Sequence, residues 1–204
     1  MAKFFKSTWF KCIAVLLGII LFSGISISVL SDVLYVSPDE RTGRALTKIY
    51  GAVPSSYSVV LDVDSGNDAI QYDFGQIEKI FTVGKDDSQS IVPDTEYDML
   101  FKTTGQEGYK GGTVTMWIQV KINGNDRDIK KVIIDGNTKQ TLMSKLGDAF
   151  LGGFYIDISN NYDTYFTSKS KEMGNKNPVS GATMSAMAGC NAVNCVIEYM
   201  KGVA

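Results

Sequence analysis

The rhythm of hydrophobic and polar positions changes several times along this chain, and each rhythm predicts a different element. From Cys12 to Ser31 twenty residues pass without a charge, enough for one helix to cross the hydrocarbon core of a bilayer. Ser37-Pro38-Asp39-Glu40 then has the form of a helix start: Ser as N-cap, Pro at the first position, and acids facing the helix dipole. Ala45, Leu46 and Ile49 supply the apolar side of that helix, which Gly51 ends before Pro54. Strand-like runs follow at Tyr57 to Val63, Ile77 to Val83 and Tyr97 to Thr103, separated by polar and glycine clusters such as Asp64-Ser65-Gly66-Asn67. The clearest strand runs from Thr113 to Ile122. There Val114, Met116, Ile118, Val120 and Ile122 alternate with Thr113, Thr115, Trp117, Gln119 and Lys121, the period of a strand buried on one face. Asn123-Gly124 turns the chain into a return strand at Ile129 to Asp135. Helical spacing takes over at Leu142, Met143, Leu146 and Phe150, and again at Met187, Val193, Ile197 and Met200, which predicts a terminal helix ending near Gly202. The expected fold is α+β: a mostly antiparallel sheet with packed helices, preceded by one N-terminal transmembrane helix.

Charge gives the apolar stretch a direction. Lys3, Lys6 and Lys11 precede the first acid, Asp32, so the rest of the chain is more acidic than the formal charge of −2. The positive-inside rule places the lysines in the cytoplasm, with Phe4, Phe5, Trp9 and Phe10 at the interface. The organisation expected is a cytoplasmic N-terminus (1–11), a transmembrane helix (12–31), a juxtamembrane helix or connector (32–54) and an extracytoplasmic domain (55–204). The competing reading is a cleaved signal peptide with Ser26-Ile27-Ser28 at the cleavage site. An acidic body argues against a nucleic-acid partner. With no His and three Cys, most transition-metal, haem and His-assisted nucleophilic chemistry lacks its ligands or bases. Cys190 and Cys195 are roughly 140° apart around the terminal helix, so they pack and do not bridge.

The candidate chemistry sits where the terminal helix starts, at Asn177-Pro178-Val179-Ser180-Gly181-Ala182-Thr183. Ser180 to Thr183 is expected to form the first turn, whose unpaired N–H groups and dipole suit a phosphate. A plain N-cap is the other reading. Gly108-Tyr109-Lys110-Gly111-Gly112, just before the best strand, reads by itself as a turn.

Taken together, the anchor, Ser180-Gly181-Ala182-Thr183 and the Gly-Tyr-Lys-Gly-Gly loop resemble the covalent-flavin subunits of the Rnf and Nqr respiratory complexes, the RnfG/NqrC family. The short length is nearer the Rnf member. In that family the last Thr of Asp-x-x-Ser/Thr-Gly-Ala-Thr is esterified to the phosphate of FMN by a flavin transferase that consumes FAD. The resemblance therefore implies FMN on Thr183, with Ser180, Gly181 and Ala182 around it and Asn177 in place of the motif's Asp. It also implies that Gly108, Tyr109, Gly111 and Gly112 lie beside the flavin, their missing side chains letting backbone amides approach it. Thr141 and Leu142 fall where the family has a loop covering the flavin. Thr183 would be an attachment point and not a catalytic nucleophile. The implied function is an electron carrier in an Rnf-like ferredoxin:NAD oxidoreductase coupled to Na+ or H+ translocation, its partners being the other membrane and iron–sulfur subunits. An Nqr-type subunit, a surface or periplasmic flavoprotein serving external acceptors, and a structural module without FMN are the alternatives. Tyr155, Tyr162, Tyr165 and Phe166 are expected in the core.

Overall fold

A computed structural model describes residues 8–84, 96–136, 138, 146–159, 166 and 183–203. The chain divides into two compact units, Met1–Arg41 and Thr42–Ala204. The first contains α1 (Thr8–Leu34), whose 27 residues make a helix about 40 Å long. Its segment Lys11–Ser28 is long and apolar enough to cross a membrane.

Helix α2 (Pro38–Tyr50) follows the expected start signal. Ser37 Oγ accepts from the Glu40 N–H at 3.2 Å, which satisfies one of the orphan donors of the first turn, and the Ser37 carbonyl accepts from the Arg41 N–H in the first intrahelical bond. Gly51, at φ +85°, donates to the Thr47 carbonyl and ends the helix, the left-handed closure that glycine adopts without strain. Thr42, Ala45, Leu46 and Ile49 are buried.

Six strands form one sheet: β1 (Tyr57–Asp62), β2 (Ile70–Tyr72), β3 (Gly75–Val83), β4 (Tyr97–Gly105), β5 (Val114–Asn123) and β6 (Asp126–Ile134). The order is β1-β3-β4-β5-β6, with β2 also pairing with β3, and every pairing is antiparallel. The central β4–β5 ladder runs without a shift from Tyr97↔Ile122 to Gly105↔Val114. Bulges interrupt β1 between Val59 and Leu61 and β3 between Ile77 and Lys79. At the far edge, Ile129 donates to the Ile156 carbonyl and Ile158 to that of Arg127, so residues 156–158 cap part of β6.

The two faces of the sheet carry different cores. On one face Ile77, Phe101, Met116, Ile118 and Val132 meet α4 (Thr183–Gly202), together with Phe150, Phe154 and Phe166. On the other, Phe81, Leu100 and Trp117 pack under Ala45, Leu46 and Ile49 of α2. Each fully buried large side chain contributes about 1.5–3 kcal/mol of hydrophobic stabilisation. Lys131 Nζ reaches the Lys48 and Ile49 carbonyls at 2.8 and 3.1 Å, placing a cation at the negative end of α2.

Three local expectations are corrected. The two-residue turn of the β5–β6 hairpin is Gly124-Asn125, because Asn123 still pairs with Asp126; Gly124, at φ +58°, takes the left-handed first position. Strand β6 therefore begins three residues earlier than its apolar pattern. The helix expected over 142–150 is, in its described part, the four-residue α3 (Asp148–Leu151) followed by a 3-10 turn at Gly152–Phe154. Leu146 and Phe150 are buried as expected, while residues 139–145 lie outside the described set.

Candidate functional site

Helix α4 runs antiparallel to β4. Phe101 meets Tyr199 edge-on with ring centroids 5.4 Å apart, whereas Gly105, at the end of β4, lies against the backbone of Ala188 and Ala192. A Cβ on Gly105 would fall inside the Ala188 carbonyl and the Ala192 amide, so glycine is required for this approach. Gly75, opposite Gly105, makes a similar demand, since a Cβ there would sit 2.5 Å from the Thr104 carbonyl and 2.9 Å from Cys195 Sγ. The sheet ends here at Gly75, Gly105 and Val114. Thr183, the first residue of α4, therefore precedes the level of contact by about 7.5 Å, on the side from which the 106–113 connection also leaves.

That connection is tied to the helix. Asn191 on α4 is buried, and its Nδ2 donates to the Gln106 carbonyl at 3.1 Å and to Glu107 Oε2 at 3.3 Å. Glu107 and Lys110 have φ of +67° and +54°, a left-handed conformation that costs non-glycine residues roughly 1–2 kcal/mol each. Gly111, at φ +73°, has open space where a Cβ would be. The glycine amides, however, serve the loop itself: Gly108 donates to the Gly112 carbonyl, Gly111 to that of Gly108, and Gly112 to that of Tyr109. What the loop presents is the half-exposed Tyr109 ring with Lys110 Nζ 5.5 Å from its centroid, the Glu107 carboxylate, and the space over Gly111.

Thr183 is the first residue of α4 and is exposed. Two positions on, Ser185 is only 2% exposed, so of the two aliphatic hydroxyls of α4 Thr183 carries the exposed one. A phosphoester at Thr183 would project from an exposed position and leave the buried Ser185 and Ala186 in place, and the helix terminus would offer it a positive dipole end. The residues present thus fit a phosphate-linked group. The structure brings Thr183 to the same end of the domain as Gly108, Tyr109, Gly111 and Gly112. Asn177, Ser180, Gly181, Ala182, Thr141 and Leu142 lie outside the described residues, as do Tyr162 and Tyr165. Phe166 is buried as expected, whereas Tyr155 is 46% exposed; its expected place in the core is corrected.

Sequence reasoning passed over Asn191, Asn194 and Glu107. The available signal was the presence of two Asn on an otherwise apolar helix, where a buried amide needs partners. Cys190 and Cys195 are free, and burial pushes both thiols up to about 12, which makes them packing residues with little thiolate at neutral pH. No family model, curated protein or solved structure matches the chain.

Proposed function

We propose that the protein is a membrane-anchored electron carrier in which FMN is joined through its phosphate to Thr183. The observation that carries this reading is the exposed hydroxyl of Thr183 at the start of α4, within a Ser-Gly-Ala-Thr sequence and at the same end of the domain as the Gly-Tyr-Lys-Gly-Gly loop. When bound, FMN supplies one- and two-electron redox chemistry, while the protein supplies position and electrostatics. The role of this chain's residues is to hold. Thr183 provides the ester oxygen, the helix terminus provides the positive end of its dipole to the phosphate, and the loop of Glu107, Tyr109 and Lys110 lies at the same end of the domain, tied to α4 through Asn191. A covalent link removes dissociation, which matters for a domain outside the cytoplasm. In this reading α1 is the anchor, with Lys3, Lys6 and Lys11 on the cytoplasmic side. The parent assembly is an Rnf-like ferredoxin:NAD oxidoreductase coupled to ion movement, matured by a flavin transferase.

Replacing Thr183 by Val tests the reading directly. Size is nearly matched, and loss of a terminal hydroxyl costs about 0.5–2 kcal/mol if it also caps the helix, too little to unfold most domains. Co-produced with a flavin transferase, the wild-type chain should give a band that stays fluorescent after denaturation, and Thr183→Val should give none. A fluorescent Thr183→Val band would move the attachment elsewhere, and a dark wild-type band would remove the flavin.

A further inference from the structure

Glu107 and Lys110 are the acidic and the basic residue of the 106–112 connection. We infer that they set the reduction potential of the group attached at Thr183 from opposite directions, Glu107 lowering it and Lys110 raising it; the inference rests on the covalent-FMN reading above. Among the described residues they are the two non-glycine positions with positive φ. Backbone held this way persists where its surroundings over-determine it, and it clusters at ligand sites. Here the surroundings are visible. Asn191, anchored in the buried face of α4, fixes the Glu107 carboxylate at 3.3 Å and the Gln106 carbonyl at 3.1 Å with one amide, and the Lys110 ammonium rests over the Tyr109 ring.

Placement argues in the same direction. Thr183 and Asn191 are eight residues apart on one helix, about 12 Å along its axis, and the loop tied to Asn191 leaves the sheet toward the Thr183 end. The ribityl chain separates the ring of FMN from its phosphate, so the residues that hold the ester are not those that face the ring. In a titration with dithionite, which is oxidised to sulfite, the ring takes up two electrons and one proton at neutral pH and is left singly negative. A fixed carboxylate nearby opposes that charge and a fixed ammonium favours it. Both side chains are exposed, so the effect is screened as salt rises.

The experiment uses the full-length protein carrying FMN and reads its midpoint potential by dithionite titration against a reference dye, with Thr183 modification checked by mass. Glu107→Gln should move the midpoint in the positive direction, Lys110→Met in the negative direction, and the double variant should return close to wild type. Both single shifts should shrink at high salt. A loop with only a structural role would move both single variants in the same direction or neither, and either result, with FMN present on Thr183, overturns the inference while leaving the covalent-flavin reading intact. Absence of FMN from Thr183 in the wild type overturns that reading first, and the inference with it.

Discussion

Asn194 holds the backbone of Phe166 from both sides: its Oδ1 accepts the Phe166 N–H at 2.8 Å and its Nδ2 donates to the Phe166 carbonyl at 3.0 Å. Such a two-way amide bond inside an apolar helix pins a distant segment and leaves no buried polar atom of Asn194 wanting. The sequence pattern could not reveal it, because periodicity describes which face is apolar and not which segment lies 28 residues away. Gly105 was equally silent, since its requirement for a missing Cβ comes from α4 backbone, not from a turn. The place of Thr183 at the start of α4 was legible because the helical spacing of the C-terminal residues begins just after it. Thr103 is the converse case: it is fully buried between β4 and α4, and its hydroxyl has no hydrogen-bond partner among the described residues. Replacing it by Val keeps shape and removes an unpaired polar group, so Thr103→Val should stabilise the domain by about 1 kcal/mol, read as a higher urea midpoint at unchanged slope. A lower midpoint would mean that the hydroxyl has a partner.

Strand β5 shows what the pattern of positions conveys at the scale of elements. Its alternation located it to within a residue at each end, because one face is packed and the other is partly polar. Strand β2 was missed since three residues are too few to show a period. The start of β6 was misplaced because Asp126, Arg127 and Asp128 join the ladder by backbone pairing and carry no apolar signal. Helix α3 is shorter than its spacing suggested: Gly147 precedes it and Gly152-Gly153 follow, limiting the helix to one turn. The seam between α4 and β4 gives a sharp prediction. Gly105→Ala forces backbone against backbone, where nothing can rotate aside, and should destabilise by about 1–3 kcal/mol or more, visible in thermal or urea unfolding; a neutral result would mean that α4 does not lie this close.

The polar side of the sheet carries a pH dependence. Glu78 is linked to Lys102 Nζ at 2.7 Å and accepts from Thr104 Oγ1 at 2.6 Å. Burial alone would raise its pKa, but the hydrogen bonds from Lys102, Thr104 and Gln76 and the charge of Lys102 outweigh burial and hold it below the usual carboxylate value. A carboxylate whose folded pKa is depressed adds stability above its unfolded pKa and loses it as pH falls through the folded value. Stability should therefore fall as pH drops below the ordinary glutamate value of about 4.3 and through the depressed folded one, and Glu78→Gln should flatten part of that drop in urea midpoints measured across the range. Equal slopes in the two proteins would dissociate Glu78 from acid unfolding. Lys79 works at the opposite limit. Its ammonium, buried 2.9 Å from Asp62 and 2.6 Å from Asp64, is disfavoured by burial, but those hydrogen bonds more than compensate and raise its pKa. Its contribution persists below the ordinary lysine value and disappears only as pH climbs through the raised one.

At the scale of the whole molecule, one apolar helix and one α+β domain divide the work: the first is suited to a bilayer, and the second gathers an accessible threonine and a strained, charged loop at one end of a sheet. The class of fold was readable in advance because anchor length, strand alternation and helix starts are local properties. Which residues share that end was not, because β4 and α4 meet through glycines and buried amides far apart in sequence. The central claim is that this end exists to hold FMN on Thr183. The most direct test is the mass of the peptide containing Thr183, taken from full-length protein produced together with an active flavin transferase. The account predicts an increase of one FMN less one water, located on Thr183. An unmodified peptide, from cells in which the same transferase modifies a second substrate, would contradict it.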